Sequence, residues 1–342
     1  MLIESILRHP GYKKHTGSNA NTVFLSRKRA VSTPYSEIRF GGVNIMEYME
    51  KINEIAFVGG DLRQIRAINQ MSKSGIPVRV FGFGGESAGR FHGSVTLSAG
   101  LDGLNDEYRA IVLPLPYTTD GENINAPFLD KAIAVADIVK AASGKNRLLA
   151  GKCDEKLETM AKIYDVPLTD YFCREELMIR NAVPTAEGAI QIAMEETPHT
   201  LHGSECLITG YGRIGKILAE MLRGIGANVT VAARKQRDLA SALSFGCSTV
   251  PLWELYGCIN EFDIIFNTVP SLLFDFNLLS KLHKHCLMID LASKPGGVDF
   301  EAARALGIKA IWALSLPGKV APDTAGDIIK DTVLNILSET EV

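Results

Sequence analysis

Cys206-Leu207-Ile208-Thr209-Gly210-Tyr211-Gly212-Arg213-Ile214-Gly215 decides the fold of this 342-residue chain. An apolar run is followed by a G-x-G-x-x-G turn, and then by a helical pattern with Ile217, Leu218, Met221 and Leu222 on one face. Strand, tight turn and helix in that order make a dinucleotide-binding turn. The first glycine permits the turn, the second lets the backbone approach a pyrophosphate, and the third lets helix and strand pack closely. The helix start adds free N–H groups and a partial positive charge. Gly210, Gly212, Arg213, Ile214 and Gly215 are therefore expected cofactor contacts. A glycine pattern alone is a weak signal, and a doubly wound domain that kept the turn only for packing is the competing account. The flanking strand and helix favour the ligand.

Outward from the turn, residues 201–315 alternate strand and helix. Apolar runs near Cys206–Thr209, Val229–Ala232, Asp263–Asn267, Cys286–Leu291 and Lys309–Ala313 predict the strands of a Rossmann domain. Cofactor choice is read at the end of the second strand. A site for NAD usually places an acid about 20 residues past the first glycine, on the ribose hydroxyl. Here Arg234, Lys235 and Arg237 come first, and no acid appears until Asp238. A carboxylate would repel a 2′-phosphate, whereas these cations attract it. NADP is the expected cofactor, with NAD as the lesser option; solvated helix-start charges are the plainer account of the same residues. Thr268 and Pro270 follow the strand near Asp263–Asn267, and Ala292 follows the one near Cys286–Leu291. Ligands of open α/β sheets bind beyond such strand ends.

Residues 51–178 show a second alternating pattern. Strand runs fall at Glu54–Val58, Pro77–Phe83, Val95–Leu97, Ala110–Leu113, Arg147–Ala150 and around Asp165–Pro167. Helices follow Gly59-Gly60-Asp61 and run from about Phe128 to Ala142. The pattern predicts a flavodoxin-like α/β domain on the substrate side. Residues 179–200 are read as an interdomain helix, introduced by Pro184-Thr185-Ala186-Glu187-Gly188. Residues 316–342 are read as a cleft loop, Leu316–Gly326, and a last helix, Ala325–Leu337, folding back on the first domain by analogy with two-domain dehydrogenases. The expected fold class is thus α/β, with two doubly wound domains. Residues 1–50 are basic and lack periodicity. They are read as a disordered extension or as a start assigned too far upstream, with Met46 or Met49 as the true start. A basic arm touching a partner is the sharper alternative.

Composition narrows the function. A net charge of −3 gives no field favouring nucleic acid or membranes. No run of 18 apolar residues and no signal peptide are found, so a cytoplasmic protein is expected. The six cysteines are scattered, as free thiols in a reducing compartment would be. The seven histidines show no metal-ligand spacing, so no metal is expected.

The substrate side is cationic. Arg63, beside free amides where a strand meets a helix start, is suited to a carboxylate. In the other account Asp61 is an N-cap and Arg63 lies on the surface. Lys152, at the end of another strand of that domain, faces the same cleft by fold geometry, and Lys319 and the linker's Thr185 join it. A histidine–carboxylate pair for alcohol oxidation is missing, because His283 and His285 read as surface residues. The base is open among Lys294, Asp61 and Glu187.

Together these segments resemble a known family, the A-subunits of dipicolinate synthase from spore-forming bacteria. The likeness rests on Ile55–Gln64, Asn181–Glu196, Gly210–Gly215, Ala233–Lys235, Asp290–Gly297 and Leu316–Gly326. It implies an NADP-linked dehydrogenase. Its substrate would be 4-hydroxy-tetrahydrodipicolinate from the lysine (diaminopimelate) pathway, or the dehydrated form, and its product pyridine-2,6-dicarboxylate, made during sporulation. The resemblance also implies that the partner is the synthase's flavoprotein-like B-subunit, and that the place of work is the mother-cell cytoplasm; a homo-oligomer stays open. Two other readings remain. One is a methylenetetrahydrofolate or alanine dehydrogenase-like oxidoreductase, suggested by the Pro-Gly-Gly and Pro-Gly-Lys loops. The other is a nucleotide-binding scaffold, inactive without its partner, suggested by an intact glycine turn with no recognisable base.

Overall fold

A computed structural model describes residues 54–98, 100–104, 108–144 and 146–339, together with the backbone of a short antiparallel pair, Arg39–Phe40 with Val43–Asn44. The reading of residues 1–50 as an extension or misassigned start otherwise lies outside the described residues.

In the first half, β1 (Ile55–Val58), β2 (Val78–Phe81), β3 (Thr96–Leu97), β4 (Ala110–Val112), β5 (Leu148–Ala150) and β6 (Leu168–Asp170) form a parallel sheet ordered β3-β2-β1-β4-β5-β6. Without the two-residue edge strand, the order is the 2-1-3-4-5 of a flavodoxin-like layer. Side chains alternate across it. Ile55 and Phe57 enter one core, Ala56 and Val58 the other. A parallel sheet buried on both faces needs such continuous apolar strands. Its helices are α1 (Leu62–Lys73), α2 (Val135–Ala142) and α3 (Glu155–Ile163).

Helix α4 (Glu175–Glu196) leads to the second half. There β7 (Glu205–Thr209), β8 (Asn228–Ala233), β9 (Ser248–Pro251), β10 (Ile264–Asn267), β11 (Leu287–Asp290) and β12 (Lys309–Trp312) form a parallel sheet ordered β9-β8-β7-β10-β11-β12. This is the 3-2-1-4-5-6 order of a dinucleotide-binding domain, with its switch point between β7 and β10. Helices α5 (Arg213–Ile225), α6 (Gln236–Ser244), α7 (Phe276–Leu279) and α8 (Phe300–Leu306) accompany it. The chain ends in α9 (Leu316–Val320) and α10 (Pro322–Glu339).

The last two helices tie the halves together. Ile328, Ile329, Val333, Ile336 and Leu337 of α10 share a core with Ile55, Phe57, Val78 and Val80 of the first sheet. Leu177, near the start of α4, joins that core, whereas Ala186, Ala189 and Ala193, farther along, join the core of the second sheet. On the surface Arg66 of α1 bonds Asp327 and Asp323 of α10 at 2.9 and 3.0 Å. Arg180 of α4 bonds Asp331 at 2.7 Å.

Several elements differ from the sequence expectations. The linker helix is continuous through Pro184 rather than starting after it, because its small residues are buried along the second half's core and hold it across the missing N–H. The expected cleft loop at Leu316–Gly326 is helical. Pro317 and Pro322 stand in first turns, where a proline's missing N–H has no helical partner to lose. The helix expected from Phe128 begins at Val135, because Ile124 N bonds Ile133 O and Val135 N bonds Glu122 O, drawing the preceding stretch into a loop pairing. The sixth strand falls at Leu168–Asp170; Asp165, at φ 52°, turns the chain before it. The edge strand β9 is not among the expected strands, since Ser-Thr-Val-Pro offers little apolar signal.

Candidate active site

Gly210 closes β7 with φ 89°. A Cβ there would meet Thr268 Oγ1 at 2.5 Å, and one at Gly215 would lie 2.3 Å from the Gly210 carbonyl oxygen. The protein's own packing demands both glycines. Gly212 differs, because a Cβ there would meet nothing within 4 Å. No side chain caps α5, and its first helical bond runs from Lys216 N to Gly212 O at 3.0 Å. The amides of Arg213, Ile214 and Gly215 are left without helical partners. Open space at the middle glycine, backed by free amides at a helix start, fits a pyrophosphate.

A cleft of about 340 Å³ opens beside this turn, lined by Gly210, Tyr211, residues 232–235 and residues 269–273. Arg234 and Lys235 line it, exposed and without an ion-pair partner among the described residues. Asp238 also lines it and pairs with Arg237 at 3.4 Å. Pro270 lies on the opposite wall. Thr268 sits behind Gly210, its hydroxyl donating to Thr209 O at 2.8 Å. Two expected contacts are placed differently. The Arg213 guanidinium turns to the linker, donating to Glu175 Oε1 at 2.9 Å and to Met178 Sδ at 3.0 Å; only its amide remains for a phosphate. Ala292 is buried, its N–H bonded to Asp290 Oδ1 and its carbonyl accepting from Trp312 Nε1. Ile214 packs on the core through its side chain.

Beneath the cleft lies a polar network that sequence reasoning misses. Thr209, Asn267 and Asp290 end β7, β10 and β11, and all three are fully buried. Thr209 donates to Asn267 Oδ1 at 2.6 Å, and Asn267 Nδ2 donates to Asp290 Oδ1 at 2.8 Å and to Val269 O at 3.0 Å. Asp290 also accepts from Ala292 N at 3.0 Å and Gly297 N at 2.8 Å. Gly297 is needed here, since a Cβ would lie 2.3 Å from Asn267 Nδ2. The network ties the two loops beyond the strand ends to one anchor. Its only signal in the sequence is a polar residue closing each of three apolar strands.

At the carboxyl end of the first sheet, Asp61 caps α1 by accepting Arg63 N at 2.9 Å. Arg63 is buried, not on the surface. Its Nε and Nη2 bond Asp61 at 3.0 and 2.7 Å, and Nη2 also bonds Leu115 O. Nη1 has no partner among the described residues, although Arg63 is only 8% exposed. Helix α9 lies on this guanidinium, since a Cβ on Gly318 would be 3.0 Å from Nε. Lys319 is the next residue, exposed. Gly151 packs against Leu115 and Tyr171 on the other side, and Lys152 follows it. The fold therefore gathers Arg63, Lys152 and Lys319 around the turn at Leu115. Thr185 is less available, its hydroxyl donating to Asn181 O at 2.7 Å within α4.

Of the base candidates, Asp61 is occupied by Arg63, while Glu187 and Lys294 are exposed. Burial pushes the Cys206 and Cys286 thiols up to about 12, so neither supplies a thiolate at neutral pH. Among the described residues no group of acidic, histidine and cysteine side chains could hold a metal. Among them, too, no helix is long and apolar enough to cross a membrane.

Residues 54–172 match the family model described as the N-terminal domain of the dipicolinate synthase A-subunit. Residues 178–294 match the D-isomer specific 2-hydroxyacid dehydrogenase, NAD binding domain. The chain is 33% identical over 290 residues to the dipicolinate synthase A-subunit of Bacillus subtilis (strain 168), covering 84% of this chain and 97% of that one. The crystal structure of the dipicolinate synthase A-subunit from Bacillus halodurans superposes with a TM-score of 0.78 at 30% identity, over 83% of this chain and 97% of that one. A transhydrogenase from Sinorhizobium meliloti, at 14% identity and a TM-score of 0.64, covers 84% of this chain and 94% of its own, and shares the fold.

Proposed function

The chain belongs to the family of dipicolinate synthase A-subunits and is a nicotinamide-dinucleotide-dependent oxidoreductase; from that premise we propose that it oxidises a cyclic dihydrodipicolinate-type dicarboxylate to pyridine-2,6-dicarboxylate, with NADP as cofactor. The observation that carries the reading is the Arg63 guanidinium, 8% exposed, whose Nη1 bonds none of the described residues, covered by the helix that follows the last strand of the nucleotide-binding sheet. That contact brings a cation suited to a carboxylate to the same end of the molecule as the dinucleotide cradle.

In this reading the chain's residues bind and orient. The amides of Arg213 to Gly215 hold the pyrophosphate in the space that Gly212 leaves. Arg234 and Lys235 attract a 2′-phosphate. Arg63 Nη1, Lys152 and Lys319 hold the two carboxylates of the substrate. The bound nicotinamide supplies a hydride acceptor. A ring proton must also leave, and Lys294, Glu187 and Asp61 are the candidates to receive it, Asp61 being the one whose oxygens already accept from Arg63. Aromaticity of the product supplies much of the driving force, so positioning matters more than activation. The proposed partner is the synthase's flavoprotein-like B-subunit, and the proposed setting is the mother-cell cytoplasm during sporulation.

The test is to give purified chain, with and without that partner, the cyclised substrate and NADP or NAD, and to follow dipicolinate and NADPH. Dipicolinate formed with NADPH in equal amount supports the reading. Formation by neither preparation overturns it, and formation only in the partner's presence assigns this chain a supporting role.

A further inference from the structure

Lys152 has φ 65°, the left-handed region that L-residues with long side chains rarely occupy. Among the described residues the other non-glycine cases are Asp165 and Ser315. Asp165 is of a type whose short polar side chain tolerates that region; a lysine has no such reason. Lys152 follows β5 next to Gly151, where a Cβ would lie 2.8 Å from Pro114 O and from Tyr171 Oη. Its ammonium has no partner among the described residues, and the residue is exposed.

One carboxylate holds this turn. Asp170 Oδ1 accepts from Lys152 N at 3.0 Å and Phe172 N at 2.8 Å. Its Oδ2 accepts from Cys153 N at 2.8 Å and Cys173 Sγ at 3.4 Å. Asp170 ends β6 directly opposite Ala150 of β5. Two successive amides of the strained turn thus end on one side chain borne by the neighbouring strand. Local strain persists where surrounding structure over-determines it, and it concentrates at ligand sites. A glycine would occupy the position without strain, so the lysine side chain is the reason to keep it.

The geometry points to Asp170 as a positioning residue that locks the Lys152 turn, so that the lysine ammonium stands ready for a substrate carboxylate. The inference rests on the proposed reading of Lys152 as a carboxylate-binding residue and goes beyond it by naming what sets its geometry. Asp170 touches no substrate in this scheme. Its influence on the lysine passes through the backbone of Lys152 and Cys153, while its bonds to Phe172 N and Cys173 Sγ fasten the carboxylate itself.

The experiment is calorimetric binding of pyridine-2,6-dicarboxylate to the full chain in the presence of NADP, with thermal melts of each variant. Lys152→Ala should weaken binding by about 10- to 100-fold, the range for losing a hydrogen bond to a charged group. Asp170→Asn keeps one acceptor oxygen, turns a donor toward the second amide, and should weaken binding by about 10-fold. In the Lys152→Ala background it should change binding less than about 2-fold, because the two residues act as one unit. Lys152→Gly should melt at a higher temperature than the parent while binding as poorly as Lys152→Ala. A full, independent effect of Asp170→Asn in the Lys152→Ala background, or no effect in the parent, overturns the proposal alone. So does a Lys152→Gly melting point that is unchanged or lower. Unchanged binding in Lys152→Ala removes the carboxylate reading of Lys152, and the proposal with it.

Discussion

Removing the Asp290 carboxylate should be among the most costly single changes in the nucleotide-binding half. Asp290 is fully buried and accepts three hydrogen bonds, from Asn267 Nδ2, Ala292 N and Gly297 N. In Asp290→Ala all three buried donors lose their acceptor. A hydrogen bond to a charged group is worth about 1.5–3 kcal/mol, so three together set an upper range of about 4.5–9 kcal/mol. Part is offset, because the unfolded variant no longer has to desolvate a carboxylate on folding. The net loss should be about 3–5 kcal/mol, at the high end for a single substitution. Thr209→Val is the graded control. It keeps the shape, and Asn267 Oδ1 still accepts Val269 N at 3.1 Å, so the loss should be about 1 kcal/mol. Urea unfolding, read as the shift in midpoint at constant m-value, gives both numbers. Titration with NADPH adds a second readout, since residues 269–273, which follow the Asn267 that Asp290 holds, line the cleft. If Asp290→Ala lay within about 1 kcal/mol of the parent, or no further from it than Thr209→Val, the network would not be the anchor described above.

Three further outcomes follow from the site and from the helix that closes the fold. Arg234→Ala should weaken NADP binding by about 10- to 100-fold and NAD by less than about 2-fold, measured by fluorescence titration; parent protein that prefers NAD would contradict the 2′-phosphate assignment. Gly212→Ala should cost at most about 1 kcal/mol of stability yet impair cofactor binding, whereas Gly215→Ala should cost about 2–3 kcal/mol, because its Cβ meets a backbone oxygen; equal stabilities would refute the division of roles. The bond from Arg174 holds Glu339 below the usual carboxylate range. Burial acts to raise Asp331, but the bonds from Lys330 and Arg180 outweigh it and leave it lowered. Both are depressed, so the stability they add to α10 is present above about pH 4 and lost as pH falls below it. A double variant, Asp331→Asn with Glu339→Gln, should show a flatter melting temperature between about pH 5 and 3 than the parent.

Sequence is legible in this protein where backbone geometry demands a residue type. Gly210 and Gly215 can be read because any side chain would strike the protein itself. The apolar strands can be read because both faces of each sheet are covered. The Thr209–Asn267–Asp290 network cannot, because its members stand 58 and 23 residues apart and meet only through strand order. Arg63 reads equally well as surface or site, since its burial depends on α9, more than 250 residues later. The prolines mislead in the other direction. Pro184 reads as the introduction to a helix and Pro317 and Pro322 as parts of a loop, although all three are helical. A local reading of proline sees the missing N–H, but neither the burial that holds the helix across Pro184 nor the first-turn positions at which Pro317 and Pro322 lose nothing.

The placement of α10 has a consequence for how the molecule is made. A nascent chain emerges from its amino end, and domains usually mature in that order. Here the core on one face of the first sheet, with Ile55, Phe57, Val78 and Val80 and with Ile65, Ile68 and Met71 of α1, is completed by Ile328, Ile329, Val333, Ile336 and Leu337. Every strand of the second sheet is synthesised before those residues arrive. Ile65, Ile68 and Met71 of α1 reach that core early, but the amino-terminal half must wait for α10 to complete it while the half encoded later finishes its own sheet. Chains stalled before Pro322 should bind hydrophobic dyes and be open to proteases in their first half while already protected in their second. The order of maturation along this polypeptide would then run opposite to the order of its synthesis.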